Sequence, residues 1–470
     1  MSETELPETE VETNQLGNQL DGDDRLKPEF VRAVLDAVYD GVPESARALV
    51  EPLHPADIAD LFELLPAEAR TELAKSITDL LDGDVFAEMN DYVREELIDS
   101  LSASEVADIA SELDTDDAVA IIVDLEPADQ REVLRALDPD DRAAIEEALS
   151  YPEESAGRLM QRELIAVPEH WSVGDVLDYL RGHDELTTDF WEIFVVDPAH
   201  KPVVTVALSW VLRTPRSIAI ADVMQREQTL IPVDMDQEEV ALRFQKYALI
   251  SAAVVDTGGR LVGMITVDDV VHIISEEAGE DILKLSGAGE GDINEPIRLT
   301  VRTRITWLVV NLGTAMLAAS VVGAFQGEIA RFALLAVLMP IVSGMGGNAG
   351  TQTLAVVVRA LATNQLTSSN TQRMIAREFT IAAANGTMLG VLIGFGTWLF
   401  FGNVDLAIVI AMSMVINNLI AGLSGVLIPV TLDRLDIDPA VSSAVFVTMM
   451  TDVMGFFSFL GLATLFGLGA

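Results

Sequence analysis

The chain has 470 residues, of which 75 are acidic and 29 basic, with five histidines and no cysteine. A net charge of −46 repels nucleic acid and attracts cations. The lack of cysteine excludes disulfides and thiolate metal sites, and no nucleophile–base pair or histidine cluster points to an enzyme.

The charge is uneven. Seven of the acids and eight of the basic residues lie in 296–470, so residues 1–295 carry 68 acidic and 21 basic side chains. Arginine outnumbers lysine 24 to five. That pattern suits adaptation to a salt-rich (halophile) cytosol, where excess acid keeps a surface soluble. It also suits a cation sensor embedded in the same surface. The opening MSETELPETE is polar, which predicts no cleaved signal peptide, and residues 1–27 read as a disordered acidic tail.

Residues 28–150 read as an all-α superhelical domain. ADIADLFELL (56–65) aligns with SEVADIASEL (104–113) at an offset of 48, and Ser, Asp and Pro stand at the helix starts. Stacked helical hairpins follow. Residues 151–283 mix short β runs with helices. The stretch 222–283 has the order strand–helix–strand–turn–strand–helix and resembles a CBS (cystathionine-β-synthase-type) module. Residues 151–221 resemble a first copy whose second half, KPVVTVALSWVLRTPRSIA, departs from the pattern. GMITVDD matches the Gly-x-x-Thr-x-x-Asp signature of nucleotide-binding CBS modules. By that resemblance Thr266 takes a phosphate and Asp269 the ribose of ATP; alternatively the same residues simply cap the following helix. Glu276, Glu277, Glu280 and Asp281 then crowd one helical segment. Such a face is solvated when alone and becomes a divalent-ion bridge when set against other acids.

Five apolar spans follow an expected connecting (plug) helix at 284–304: about 305–325, 332–358, 379–402, 406–430 and 441–467. Each can cross a hydrocarbon core of ~30 Å as a helix of ~20 residues. Arg298, Arg302, Arg304, Arg359, Arg373, Arg377 and Arg434 all fall on one side of five alternating crossings, with Arg331 opposite. The positive-inside rule makes that side cytoplasmic, with the N-terminal domains in the cytosol and the C-terminus outside the plasma membrane.

One charge lies mid-span. Asp452, in MMTDVMGFF, costs at least ~2.5–3.5 kcal/mol to place at that depth, so an ion pathway is the default reading. The alternative is a structural Asp held by Thr448 or Thr451. The second span reads MPIVSGMGGNAGTQT. Its Pro340 and glycines invite a broken helix or close helix packing. Asn348 and Gln352, four apart, share a face that could bond the water of a hydrated cation. Asn385, Asn417 and Asn418 read as interhelical glue.

This order, with PIVSGMGGNAGTQTLAVVVRAL, GVLIPVTLDRLDIDP, TDVMGF, ESAGRLM and DDVV…EEAGEDI, resembles the MgtE family of Mg²⁺ channels over nearly the whole chain. The resemblance implies a homodimer with its pore on the two-fold axis, lined by the second and fifth spans. It maps the pore onto Asp452, Thr451, Gly346, Gly347, Asn348, Gly350 and Gln352. It maps sensor Mg²⁺ ligands onto Asp269, Glu277, Glu280 and Asp281, with His272 where the family often has an acid. The expected function is Mg²⁺ uptake through a channel closed by cytosolic Mg²⁺. The alternatives are an antiporter exchanging a divalent cation for Na⁺ or H⁺, a broader Mn²⁺/Co²⁺ transporter, and a membrane-anchored nucleotide sensor.

Overall fold

The computed structural model describes residues 19–123, 125–183, 190–223, 228–288, 291, 293–435, 437–441 and 443–468. Most of the expected acidic tail, residues 1–18, lies outside them. The chain divides into two compact units, Met1–Ile274 and Ser275–Ala470.

The first unit opens with a turn in which Leu20 bridges Leu26, and Leu26 is buried. Residues 19–27 therefore join the helical domain rather than the tail. Ten helices follow: α1 (Pro28–Tyr39), α2 (Pro43–Val50), α3 (Pro55–Leu64), α4 (Ala67–Ser76), α5 (Gly83–Ala87), α6 (Asp91–Ile98), α7 (Ala103–Glu112), α8 (Thr115–Val123), α9 (Pro127–Ala136) and α10 (Pro139–Ala148). Proline at the first helical position starts α1, α2, α3, α9 and α10, where a missing N–H costs nothing. The two sequence repeats are α3 and α7. α7 begins with a capping box in which Ser102 and Glu105 satisfy each other's amides. One core runs through the domain, with Leu61, Phe62, Phe86, Ile121 and Ile122 fully enclosed.

Two three-stranded sheets follow. The first holds β1 (Ala166–Pro168), β2 (Glu192–Val196) and β3 (Pro202–Ala207); the second holds β4 (Leu230–Pro232), β5 (Ser251–Val255) and β6 (Leu261–Thr266). In each, the first pair is parallel and the second antiparallel, so the copies share one topology. The sheets meet through Phe194, Val196, Ala253, Leu261 and Met264. Segments are exchanged between the copies. Ala156 and Met160, ahead of β1, pack in the second core, while Ile220 and Val223, ahead of β4, pack in the first. A cut at 221/222 therefore divides the sequence but not the packing.

The helices within these copies are α11 (Val173–Gly182), α12 (Leu208–Arg213), α13 (Gln237–Tyr247) and α14 (Val267–Ser286). The irregularity expected in the first copy is the closing helix α12. It has six residues where α14 has 20, because Pro215 disfavours helix at Thr214 before it.

The segment 284–304 is not a separate connecting helix. Residues 284–286 finish α14, whose end is set by Gly287 in the left-handed region, φ +66°. A Cβ there would meet the Trp307 ring at 2.8 Å, so the position also needs glycine for space. The next helix starts after Pro296 and already contains Arg298, Arg302 and Arg304.

Five helices in the second unit are long and apolar enough to cross a membrane: α15 (Ile297–Ala324), α17 (Leu334–Ala362), α18 (Thr371–Phe401), α19 (Val404–Asp433) and α20 (Ser443–Leu465), with the short α16 (Gln326–Arg331) after the first. They are the five expected spans, extended by polar turns at several ends. α19 is the most enclosed, while α15 leaves Leu308, Val309, Leu312 and Met316 exposed, as lipid contact requires. α17 is continuous through Pro340 and is not broken. The proline sits in the second turn, where one lost bond is tolerated and the rest of the ladder propagates. Gly386, Gly390 and Gly394 of α18 lie against the backbone of α19, so that seam is close packing of small residues.

Candidate ion pathway and acidic sensor

Asp452 lies near the middle of the 23-residue α20 and is half-buried. Its Oδ1 accepts a 2.5 Å hydrogen bond from the Ser343 hydroxyl of α17. The alternative reading placed it on Thr448 or Thr451, but the Thr451 hydroxyl instead donates to the Thr448 carbonyl at 2.9 Å, and Thr451 is fully buried. Thr451 is thus enclosed within its own chain. Ser343 was missed from the sequence, because a lone serine among glycines carries no signal of its own.

α17 has two faces. On one, Gly346 is held against Asn417: a Cβ at 346 would come within 2.1 Å of Asn417 Nδ2. That amide donates to the Val342 carbonyl at 2.8 Å, so Asn417 joins α19 to α17 as the sequence reading expected. Asn418 donates instead to Met414 within its own helix. Gly350 on the same face meets Val447 of α20. Gly346 and Gly350 are therefore packing glycines. The other face carries Gly344, Asn348, Thr351 and Gln352, all exposed in the single chain, with Gly347 beside them. A Cβ at 344 or 347 would meet nothing within 4 Å. Amides on a membrane helix are poorly matched to lipid and call for water or another protein surface.

Glu378 is a further buried charge. The sequence reading began this span at 379, but α18 starts at Thr371, so Glu378 lies inside the helix and is 6% exposed. Thr353 Oγ1 of α17 lies 3.3 Å from its Oε2. A cavity of about 200 Å³ adjoins it, lined also by Gln352, Asn385 and Asn418. Asn418 Oδ1 is buried with no hydrogen-bond partner.

The expected sensor residues do not form one group. Asp269, in the first turn of α14, packs within the first unit. Its carboxylate accepts from the Thr266 hydroxyl at 2.6 Å and from Gln161 at 3.4 Å. The cap reading of Thr266 and Asp269 is therefore realised. Facing Asp269 across the helical domain are Asp114, Asp116 and Asp117 at the start of α8. Burial, then Glu163 and Asp269, push Asp114 up to about 6. Burial, then Asp269 and Asp114, push Asp117 to about 6, and burial and Asp269 raise Asp116 well above the carboxylate range. Asp116 Oδ1 is out of solvent with no hydrogen-bond partner. Glu163 is tied down by the Thr115 hydroxyl at 2.8 Å. Burial raises Asp269 above the usual carboxylate range, opposed by its Thr266 hydrogen bonds and by His272, exposed on α14.

Among the described residues no three Asp, Glu or His side chains converge as a preformed metal shell. The arrangement is one of facing acids that repel. A cation that keeps its water can bridge such a gap.

Glu280 and Asp281 belong to the second unit. Lys284 pairs with Glu280 at 2.6 Å and with Asp438, after α19, at 3.0 Å. Burial and then Asp438 raise Asp281. Asp438, the last acid of the LDRLDIDP run, carries no signal of its own in the sequence. Glu277, half-buried, lies one turn earlier on α14.

Three family profiles match the chain: MgtE, described as a divalent cation transporter, over residues 339–462; the MgtE intracellular N domain over 53–154; and the CBS domain over 220–276. The protein of Thermus thermophilus named magnesium transporter MgtE is 33% identical over 328 residues, 68% of this chain and 72% of that one. The chain belongs to the MgtE family. Its Bacillus subtilis relative, also named magnesium transporter MgtE, is 28% identical over 440 residues, covering 93% of this chain and 97% of its own. Among solved structures, the cytosolic domain of the Mg²⁺ channel MgtE in complex with ATP is 29% identical, covers 52% of this chain and 99% of its own, and superposes with a TM-score of 0.47. Within this MgtE chain the CBS match falls on the second copy.

Proposed function

We propose that this protein is a Mg²⁺ channel of the plasma membrane that works as a homodimer and closes when cytosolic Mg²⁺ bridges its acidic faces. The observation that carries this reading is the mid-span Asp452, held by Ser343 beside a face of α17 that its own chain leaves uncovered. Two copies related by a two-fold axis would cover that face and bring two carboxylates to one path. A hydrated Mg²⁺ would then be held by Asp452 and by amides such as Asn348 and Gln352, keeping its inner water. An inside-negative potential drives entry with ~2.3 kcal/mol per charge per 100 mV. The arginine bias supports cytosolic N-terminal domains and an external C-terminus.

At the sensor, Mg²⁺ between Asp269 and Asp114, Asp116 and Asp117 relieves their repulsion. A second locus at Glu277, Glu280, Asp281 and Asp438 acts on the segment entering α15. When Mg²⁺ falls, both loosen and the pore opens. ATP binding at Thr266 and Asp269 enters this reading only as modulation. The two side chains are bonded to each other, and facing acids disfavour phosphate, so an ATP titration of Thr266→Ala tests it.

Mg²⁺ flux into liposomes containing the purified chain tests the proposal. Flux should vanish in Asp452→Ala while insertion and dimer size persist. Unchanged flux refutes the pathway. An antiporter is the second reading, favoured by Glu378, since an exchanger needs a group for its coupling ion. It predicts flux driven by an opposed Na⁺ or H⁺ gradient and lost in Glu378→Gln. The channel predicts ohmic current with no such dependence.

A further inference from the structure

One cavity in the second unit has the opposite character to the rest of the molecule. It is about 560 Å³ in volume and is lined by Val356, Arg359 and Ala360 at the end of α17, Gln365 and Leu366 of the loop, and Asn370, Arg373, Met374 and Arg377 at the start of α18. Three arginines line this one space. Among the described residues none of the three makes an ion pair or a side-chain hydrogen bond, and no carboxylate lines the cavity.

The loop that shapes it is fixed. The Leu366 amide bonds the Ala360 carbonyl at 2.7 Å, and Leu366 is buried against Val357, Val426 and Val430. Asn370 holds both flanks: its Oδ1 accepts from the Thr367 amide at 2.9 Å and its Nδ2 donates to the Gln365 carbonyl at 2.8 Å. The mouth also takes the first turn of the 31-residue α18, whose N-cap side chain bonds none of that helix's leading amides. Three like charges and a helix N-terminus, none of them held in an ion pair among the described residues although Arg377 also borders the cavity beside Glu378, form a site for an anion. The walls say which kind. Val356 is 48% exposed, and Ala360 and Met374 are partly so, which continues the apolar surface of the spans into the cavity.

We propose that this cavity binds the phosphate headgroup of an anionic phospholipid, with Arg359, Arg373 and Arg377 on the phosphate and an acyl chain along Val356 and Met374. Basic pockets between membrane helices recognise headgroups in this way, and Arg binds phosphate bidentately. The lipid supplies a counter-charge that no residue lining this cavity provides, and it ties the ends of α17 and α18 together beside Gln352 and Glu378.

The test is native mass spectrometry of the full chain in detergent, titrated with phosphatidylglycerol or phosphatidylcholine. Wild type should retain phosphatidylglycerol roughly tenfold better than phosphatidylcholine, the scale of one charged hydrogen bond. Arg373→Gln should lose most of that preference, and the Arg359→Gln/Arg373→Gln/Arg377→Gln triple variant all of it, with phosphatidylcholine retention unchanged as the control for folding. Equal retention of the two lipids by wild type, or an undiminished preference in the triple variant, overturns the proposal. Inorganic phosphate distinguishes the sources: if millimolar phosphate displaces phosphatidylglycerol and protects the wild type equally well, the site takes free phosphate and the lipid assignment fails.

Discussion

Replacing Asp117 with Asn removes one charge from the facing acids at α8 and α14. Asp117 and Asp114 are both raised to about 6 from a starting value of 3.8. The folded pKa lies above the unfolded one, so the native state holds protons that the unfolded chain has released. Stability therefore falls as pH rises from about 3.8 through about 6, and the cost is fully present at pH 7.5. A rise from 3.8 to about 6 corresponds to ~3 kcal/mol at most. Sharing with Asp114, partial solvent access and salt reduce this to about 1–2 kcal/mol. Loss of an acid from the first turn of a helix takes back ~0.5 kcal/mol. Asp117→Asn should thus raise the thermal midpoint of the cytosolic transition by about 2–4 °C at pH 7.5 in low salt without Mg²⁺. The gain should shrink at pH 5, where protons already neutralise the cluster. Adding 10 mM Mg²⁺ should stabilise wild type by more than the variant, because binding to the native state adds stability in proportion to affinity. Thermal unfolding of the full chain at both pH values, with and without Mg²⁺, measures this. A variant less stable than wild type at pH 7.5 without Mg²⁺, or an identical Mg²⁺ shift in both, refutes the reasoning.

The remaining predictions test other sites. Ser343→Ala should leave the fold intact but remove the hydroxyl from Asp452, and Mg²⁺ flux should change several-fold; unchanged flux and selectivity would show that Asp452 needs no partner. Gly346→Ala forces a methyl onto Asn417 and should cost about 1–3 kcal/mol, seen as a lower thermal midpoint in detergent. Gly347→Ala meets nothing in its own chain, so it should leave that midpoint alone and alter flux or dimer size instead. Lys284→Gln leaves Glu280, Asp281 and Asp438 without their cation, and should weaken closure at low Mg²⁺ and sharpen its Mg²⁺ dependence; an unaltered closure curve would remove this locus from the gate.

Legibility divided along a physical line. The five spans, the lone mid-bilayer charge and the repeating helical hairpins follow from local rules, namely apolar length, cost of burial and spacing of caps. Each was therefore readable without knowing what packs on what, and the fold class was among the things so determined. The helix ends were less so. Apolar length ignores polar turns, which hid Glu378 inside α18 and the start of α15 inside the supposed connector.

Pairings across long separations were decided only by the tertiary structure. Asp269 is more than 150 residues from Asp114, Asp116 and Asp117, and those three read in isolation as ordinary acids at a helix start. Ser343 acquires meaning only when α17 meets α20, and Gly346 and Gly347, adjacent in sequence, separate into a packing residue and an open one by the turn of a helix. Three arginines written as a sidedness signal became the wall of a cavity once the loop at 363–370 folded back. Sequence determined which groups this protein has and how long its helices can be; the packing of helices and sheets determined which charges must face one another, because repulsion and desolvation depend on distances that chain order does not contain.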